Sequence, residues 1–188
     1  MPGQPSLLSI RQAVAALSYG GVIACPTEAV WGLSCDPFDE VAVARLLNLK
    51  QRPQDKGLIL VVANTSQIDW LLHDLPASQQ ARLELSWPGP TTWLIPHRDR
   101  VPSWIHGDHD KVAVRVSAHP VVSALCNVWG GALVSSSANP TGKQAARHAF
   151  QVRRYFGKQL DYIVRGTLGG ATRPSVIKHL DSDKIVRS

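Results

Sequence analysis

Lys50-Gln51-Arg52-Pro53-Gln54-Asp55-Lys56-Gly57 separates an amphipathic run, Val41 to Leu49, from a wholly apolar one, Leu58 to Ala63. A helix that ends in a short loop stiffened by proline and glycine, and then passes into a strand apolar on both faces, is the repeating move of an α/β sheet. Three cations share that loop. At the mouth of a sheet they suit a polyanion, and they equally suit a solvated turn.

Outward from this stretch the alternation continues. Ser9 to Tyr19 carries Ile10, Ala13, Val14 and Leu17 at helical spacing and stops at Gly20-Gly21. Val22 to Cys25 reads as a strand cut by Pro26, and Asp39 to Leu49 as a helix with Asp36 and Asp39 as capping candidates. Helical patterns follow over Ser66 to His73 and Ala77 to Ser86. The Trp87-Pro88-Gly89-Pro90 turn then opens a strand, Thr91 to Ile95. Arg98 to Asp110 reads as a polar loop. Beyond it come a strand at Val112 to Val116, a helix at Pro120 to Trp129 and a strand at Ala132 to Ser136. A helix over His148 to Phe156 and short strands at Tyr162 to Val164, Ser175 to His179 and Ile185 to Val186 complete the pattern. No linker or repeat interrupts it. The expectation is one domain over residues 1–188: a three-layer α/β fold with a mixed, twisted sheet flanked by helices.

Composition narrows the class. At 188 residues with a formal charge of +6, the chain can bury a substantial core and favours an anionic partner, nucleotide or RNA. The three cysteines (Cys25, Cys35 and Cys126) form no CxxC pair and read as reduced, buried thiols of a cytoplasmic protein. Neither a signal peptide nor a membrane span is expected: the longest apolar runs, such as Leu58 to Ala63, are far too short.

Familiar motifs are missing. Thr141-Gly142-Lys143-Gln144 lacks the upstream glycine and the final hydroxyl of a phosphate-binding loop, and there is no GxGxxG or GxSxG. His106-Gly107-Asp108-His109-Asp110 has a zinc-like spacing in a context that reads as a wet loop. Trp70, Trp87 and Trp129 sit in apolar patterns and read as core. Two loops after strands remain. Ser135-Ser136-Ser137-Ala138-Asn139-Pro140 offers hydroxyls and an amide to phosphate oxygens, a base edge or a zwitterion, or forms a serine turn capped by Asn139. Thr27, on the rigid turn after Pro26, is a ligand contact or a turn residue paired with Glu28. Arg115, the sole charge in Val112 to Val116, must meet an anion, either a ligand carboxylate or an internal partner. Ser175 after Pro174 resembles Thr27 in kind.

These segments, in order, resemble the YrdC/threonylcarbamoyl-AMP synthase family in its short single-domain form. The likeness runs through Pro26-Thr27-Glu28-Ala29-Val30-Trp31-Gly32, Lys50-x-Arg52-Pro53 and Trp87-Pro88-Gly89-Pro90-Thr91. It continues through Val112-Ala113-Val114-Arg115, Ser135 to Asn139 with Gly142, and Pro174-Ser175. The resemblance implies an enzyme that makes threonylcarbamoyl-AMP and pyrophosphate from L-threonine, bicarbonate and ATP, with Mg²⁺ carried on the phosphates and no protein metal ligand to name. It implies Lys50, Arg52, Ser137, Asn139 and Arg187 at the ATP, with Lys50 and Arg52 catalytic, and Thr27, Arg115, Ser135 and Ser175 at the threonine. Partners implied are tRNA and the threonylcarbamoyl-transferase proteins that modify it beside the anticodon. Ala29, Lys56-Gly57 and Val176 depart from the commoner threonine, Asn-Pro and threonine at those places. Two alternatives stay open: an RNA-binding module for tRNA or double-stranded RNA without adenylate synthesis, and a carbamoyl-transfer paralogue of the hydrogenase-maturation kind.

Overall fold

The structure, a computed structural model, describes residues 6–187; the two ends of the expected 1–188 domain, residues 1–5 and 188, lie outside them. The chain opens with α1 (Leu7–Ser18), then β1 (Ile23–Pro26) and β2 (Trp31–Ser34), which pair antiparallel with Pro26 opposite Trp31. Pro26 therefore belongs to the strand it was expected to cut: at the last position it removes only a terminal ladder bond. β2 had no counterpart in the sequence reading.

Asp39 caps α2 (Glu40–Lys50), its carboxylate accepting from the Ala42 amide at 3.1 Å, while Asp36 accepts from the Phe38 amide within the preceding turn. β3 (Ile59–Val62) follows the charged loop as expected. The helix expected over Ser66 to His73 splits into a 3-10 turn, Thr65–Ile68, and a single turn α3 (Asp69–Leu72). α4 (Ala77–Ser86) and β4 (Thr91–Pro96) come next. The Arg98 to Asp110 segment contains α5 (Ser103–His106), so it is not wholly a loop: one helical turn buries Ile105 beneath polar neighbours. β5 (Lys111–Val116), α6 (Pro120–Trp129), β6 (Leu133–Ser137), α7 (Ala149–Phe156), β7 (Tyr162–Ile163), β8 (Val176–His179) and β9 (Ile185–Arg187) complete the order.

The strands form one mixed sheet in the order β7-β1-β2-β6-β3-β5-β4-β8-β9. β1/β7, β3/β5 and β4/β8 are parallel, and the remaining pairs antiparallel. Period-two alternation divides the core between two faces. Ile23, Cys25, Val61 and Leu133 face α1 and α6. Ala24, Leu33, Leu60 and Val114 pack in a second cluster with residues of α2 to α5 and α7. Helices thus cover both faces, giving the three layers expected. Trp87 is buried, and Trp70 and Trp129 are partly buried against the core. All three cysteines are free and buried; desolvation pushes the Cys25 and Cys126 thiols up to about 12 and raises Cys35 as well, which leaves no thiolate for catalysis. No helix among the described residues is long and apolar enough to cross a membrane.

Candidate active site

The site is assembled where β6 ends and β3 and β8 begin. α2 stops with Gln51 in the left-handed region (φ 51°), and the Gln51 and Arg52 amides return to the Asn48 and Leu47 carbonyls. That reversal leaves Lys50 pointing inward and Arg52 on the loop. Arg52 Nη2 donates to the Lys56 and Gly57 carbonyls at 3.2 and 3.0 Å, so the guanidinium braces its own loop, while its Nε is buried without a partner. Gly57, at φ 60°, supplies the left-handed turn into β3.

Lys50 joins this loop to the serine loop. Its ammonium, on a residue 4% exposed, donates to the carbonyls of Ser137 and of Asn139, the latter at 3.0 Å. The Thr141 amide returns a bond to the Lys50 carbonyl at 2.7 Å. The two turns that the sequence placed far apart are therefore one construction. Burial first, and Arg52 second, push the Lys50 pKa down to about 8.

A cavity of about 250 Å³ opens against these loops. Arg52, Arg115, Ser135, Ser137, Asn139, Ser175 and Arg187 all line it, so seven of the nine expected site residues share one space. The other two stand behind its wall. Lys50 is spent on carbonyls, and the Thr27 hydroxyl donates to the Val30 carbonyl at 2.7 Å, which tightens its own turn. Asn139 Nδ2 braces the loop by donating to the Pro140 and Lys143 carbonyls, which leaves its buried Oδ1 without a partner. Ser175 Oγ accepts from Thr92 Oγ1 at 2.8 Å, and the Ser175 carbonyl accepts from Arg187 Nη2 at 3.2 Å. Arg115 takes an internal partner: its Nη2 stands 3.2 Å from Glu28 Oε2.

The sequence reading did not place Glu28 or Arg173 at the site, yet both line the cavity. In the sequence Glu28 reads as a turn residue beside Thr27, and an acid next to a rigid strand-end turn is the available signal. Arg173 carried no signal beyond its place before Pro174-Ser175. A second cavity of about 250 Å³ adjoins the first, sharing Arg52, Gly57 and Arg187, and runs past Leu94, Ile177 and His179. The arginines feel one another: the Arg187 pKa is lowered by burial and then by Arg115 and Arg52, and that of Arg52 by burial, with Asp55 opposing. Among the described residues no cluster of three or more His, Cys, Asp or Glu gathers for a metal, the His106–His109 segment included. There His97 and His106 stack with ring centroids 3.9 Å apart.

A mixed α/β sheet whose strand ends bring guanidiniums and serine hydroxyls round one cavity defines an enzyme domain of the anion-binding class. The particular family follows from comparison with known proteins. The Sua5/YciO/YrdC family model, described under telomere recombination, matches residues 15–188, and the chain belongs to that family. A protein of Stutzerimonas stutzeri named threonylcarbamoyl-AMP synthase is 54% identical over 178 residues, 95% of this chain and 96% of that one. The crystal structure of P. abyssi Sua5 complexed with L-threonine superposes with a TM-score of 0.83 at 33% identity; the match covers 94% of this chain and 52% of that one, so this chain spans about half of it. E. coli YciO shares the fold, with a TM-score of 0.85 at 23% identity over all of this chain and 92% of the other.

Proposed function

We propose that this chain, acting as one YrdC-like domain over residues 1–188, is an L-threonylcarbamoyl-AMP synthase. The observation that carries the reading at the level of the site is the convergence of Arg52, Arg115, Arg173 and Arg187 on the cavity beside the Lys50-anchored serine loop. Threonine's amine and bicarbonate give an N-carboxylate and water. The carbamate oxygen then attacks the α-phosphorus of ATP, and pyrophosphate leaves. Two anions must approach each other, so the chain's task is alignment and compensating charge rather than nucleophilic catalysis.

The neck shared by the two cavities, at Arg52 and Arg187, suits the phosphates. On one side Arg115, Ser135 and Ser175 receive threonine, the guanidinium taking its carboxylate. On the other the apolar wall of Leu94 and Ile177 receives the nucleoside. Ser137 and the open Oδ1 of Asn139 face the reacting groups, on a loop that Lys50 holds in place. Ser175 at the side-chain hydroxyl separates threonine from valine, because an unsatisfied buried hydroxyl penalises the analogue. Magnesium arrives as part of the nucleotide, on phosphate oxygens and water. The adenylate passes to threonylcarbamoyl-transferase proteins that modify tRNA in the cytoplasm.

Incubation with ATP, bicarbonate and isotopically labelled threonine, followed by mass spectrometry, tests the reading. A labelled threonylcarbamoyl-adenylate with matching pyrophosphate is expected. Salt-sensitive RNA binding with neither product would favour the RNA-binding module instead.

A further inference from the structure

Glu28 is the one carboxylate that lines the arginine-rich cavity among the described residues. Its surroundings are built. Oε1 accepts a 2.6 Å bond from Ser117 Oγ, and that oxygen accepts from the His119 amide at 3.1 Å. His119 is itself fixed as a neutral tautomer: Nδ1 accepts from the Val121 amide, so Nε2 carries the proton that bonds the Thr167 carbonyl at 3.0 Å. The Glu28 carbonyl accepts from the Ala171 amide at 2.9 Å, which ties this turn to the loop that carries Arg173.

The other half of the carboxylate is unfinished. Oε2 lies 3.2 Å from Arg115 Nη2, in a pair whose side chains are only 8% (Arg115) and 15% (Glu28) exposed. Yet Oε2 makes no hydrogen bond, and Arg115 Nε, equally buried, has no partner either. A buried ion pair that served only the fold would be saturated, since unpaired charge in a desolvated site is what such pairs exist to avoid. Here one acceptor and one donor are left over within a single ion pair, on two residues that line one cavity. Those are the two complements of an α-amino acid zwitterion.

We propose that Glu28 is a specificity-determining residue whose Oε2 receives the substrate's α-ammonium while Arg115 takes its α-carboxylate. As Arg115 turns to the incoming carboxylate it uncovers Oε2 for the ammonium. Without Glu28, the surrounding guanidiniums would repel an ammonium and admit any small carboxylate. With it, the cavity selects amino acids over hydroxy acids of the same shape. This inference rests on the threonine-binding reading above.

Titration calorimetry with L-threonine and with 2,3-dihydroxybutanoate, which carries a hydroxyl in place of the ammonium, tests it. The wild-type chain should prefer threonine. Glu28→Gln should lose about tenfold in threonine affinity and keep its affinity for the hydroxy acid within about twofold. Equal weakening of both ligands would reduce Glu28 to a support for Arg115 and overturn the proposal, as would an unchanged threonine affinity. Ser117→Ala, which frees the glutamate from its hydroxyl anchor, should show the same selective loss on a smaller scale; it decides the matter by the same criteria if Glu28→Gln does not fold. A wild-type chain that binds no threonine would sink the parent reading too, whereas wild-type threonine binding with a Glu28→Gln variant that weakens both ligands equally, or neither, sinks this inference alone.

Discussion

The Lys50 ammonium performs its work through the backbone, holding the Ser137 and Asn139 carbonyls while burial and Arg52 pull its pKa from 10.5 to about 8. At neutral pH it is mostly protonated. As pH rises through about 8 the free enzyme loses that charge, and with it the grip on the serine loop. In the proposed ATP complex a nearby triphosphate would favour the ammonium and raise the pKa again. The kcat/KM for ATP should therefore fall above pH about 8 while kcat holds to higher pH; parallel profiles would exclude Lys50 as the titrating group. Stability takes the opposite sign. Between pH 8 and 10.5 the unfolded lysine keeps a proton that the folded one has shed, so this group's contribution to stability rises across that window. Arg173 presents a different case. Its side chain is exposed at the cavity rim and makes no hydrogen bond or ion pair among the described residues, so the fold does not lean on it. Arg173→Ala should raise KM for ATP by about tenfold, the scale of one charge-assisted contact, and leave Tm unchanged. Steady-state kinetics beside a melting curve checks both halves.

At the scale of elements, the site depends on one loop seating against another. The segment holding Arg52 continues into a 3-10 turn, Gln54–Lys56, and Gly107 at the end of α5 lies against it. Gly107 has φ 64°, and a Cβ there would overlap the Asp55 carbonyl and stand 2.9 Å from that of Gln54. Gly107→Ala combines left-handed strain with a backbone collision, and the structure must give by shifting the turn that carries Arg52. We expect a loss of about 1–3 kcal/mol in stability, read from denaturant unfolding, together with a raised KM for ATP. An alanine variant as stable and active as wild type would mean that the loops are not seated in this way. The cap of α2 is milder: Asp39→Ala removes one bond to the Ala42 amide and should cost about 1 kcal/mol, or roughly 2–4 °C in Tm for a chain of this size. Asp39 was legible because a cap is a local device. β2 was not, since Trp31-Gly32-Leu33-Ser34 is buried throughout and shows no alternation; β1 pairs with it across a short turn, but its other partner, β6, comes from distant chain. α5 was hidden for a related reason: four residues are too few to display a helical period.

Over the whole molecule, the sequence marks individual residues more plainly than it marks their arrangement. Arg52, Arg115 and Arg187 could be singled out by loop position, strand context and family likeness, but nothing local brings them together. Their meeting follows from the strand order β6-β3-β5-β4-β8-β9, in which strands distant in sequence become neighbours. The parallel pairing of β4 with β8 brings Ser175 beside Thr92, and β9 returns along β8 with Arg187. Glu28 and Arg173 escaped because one looked like a turn residue and the other like any surface arginine. Once assembled, the cavity holds four arginines against one carboxylate, and that imbalance has a cost that the unliganded fold bears: Arg115 and Arg52 each disfavour the charge on Arg187. An anion would relieve it, and on the function proposed above that anion is a multivalent phosphate, bound by the folded state and not by the unfolded chain. Pyrophosphate at about 100 times its Kd should add about 2.7 kcal/mol, raising Tm by roughly 5–10 °C. Adenosine at matched saturation binds without that relief, and its shift should not respond to salt, whereas the pyrophosphate shift should shrink as sodium chloride screens the guanidiniums. Arg52→Ala and Arg187→Ala should each reduce the pyrophosphate shift and leave the adenosine shift in place. If instead the pyrophosphate shift survives both substitutions and high salt, the arginines do not act together, and charge convergence is not what this fold supplies to the reaction.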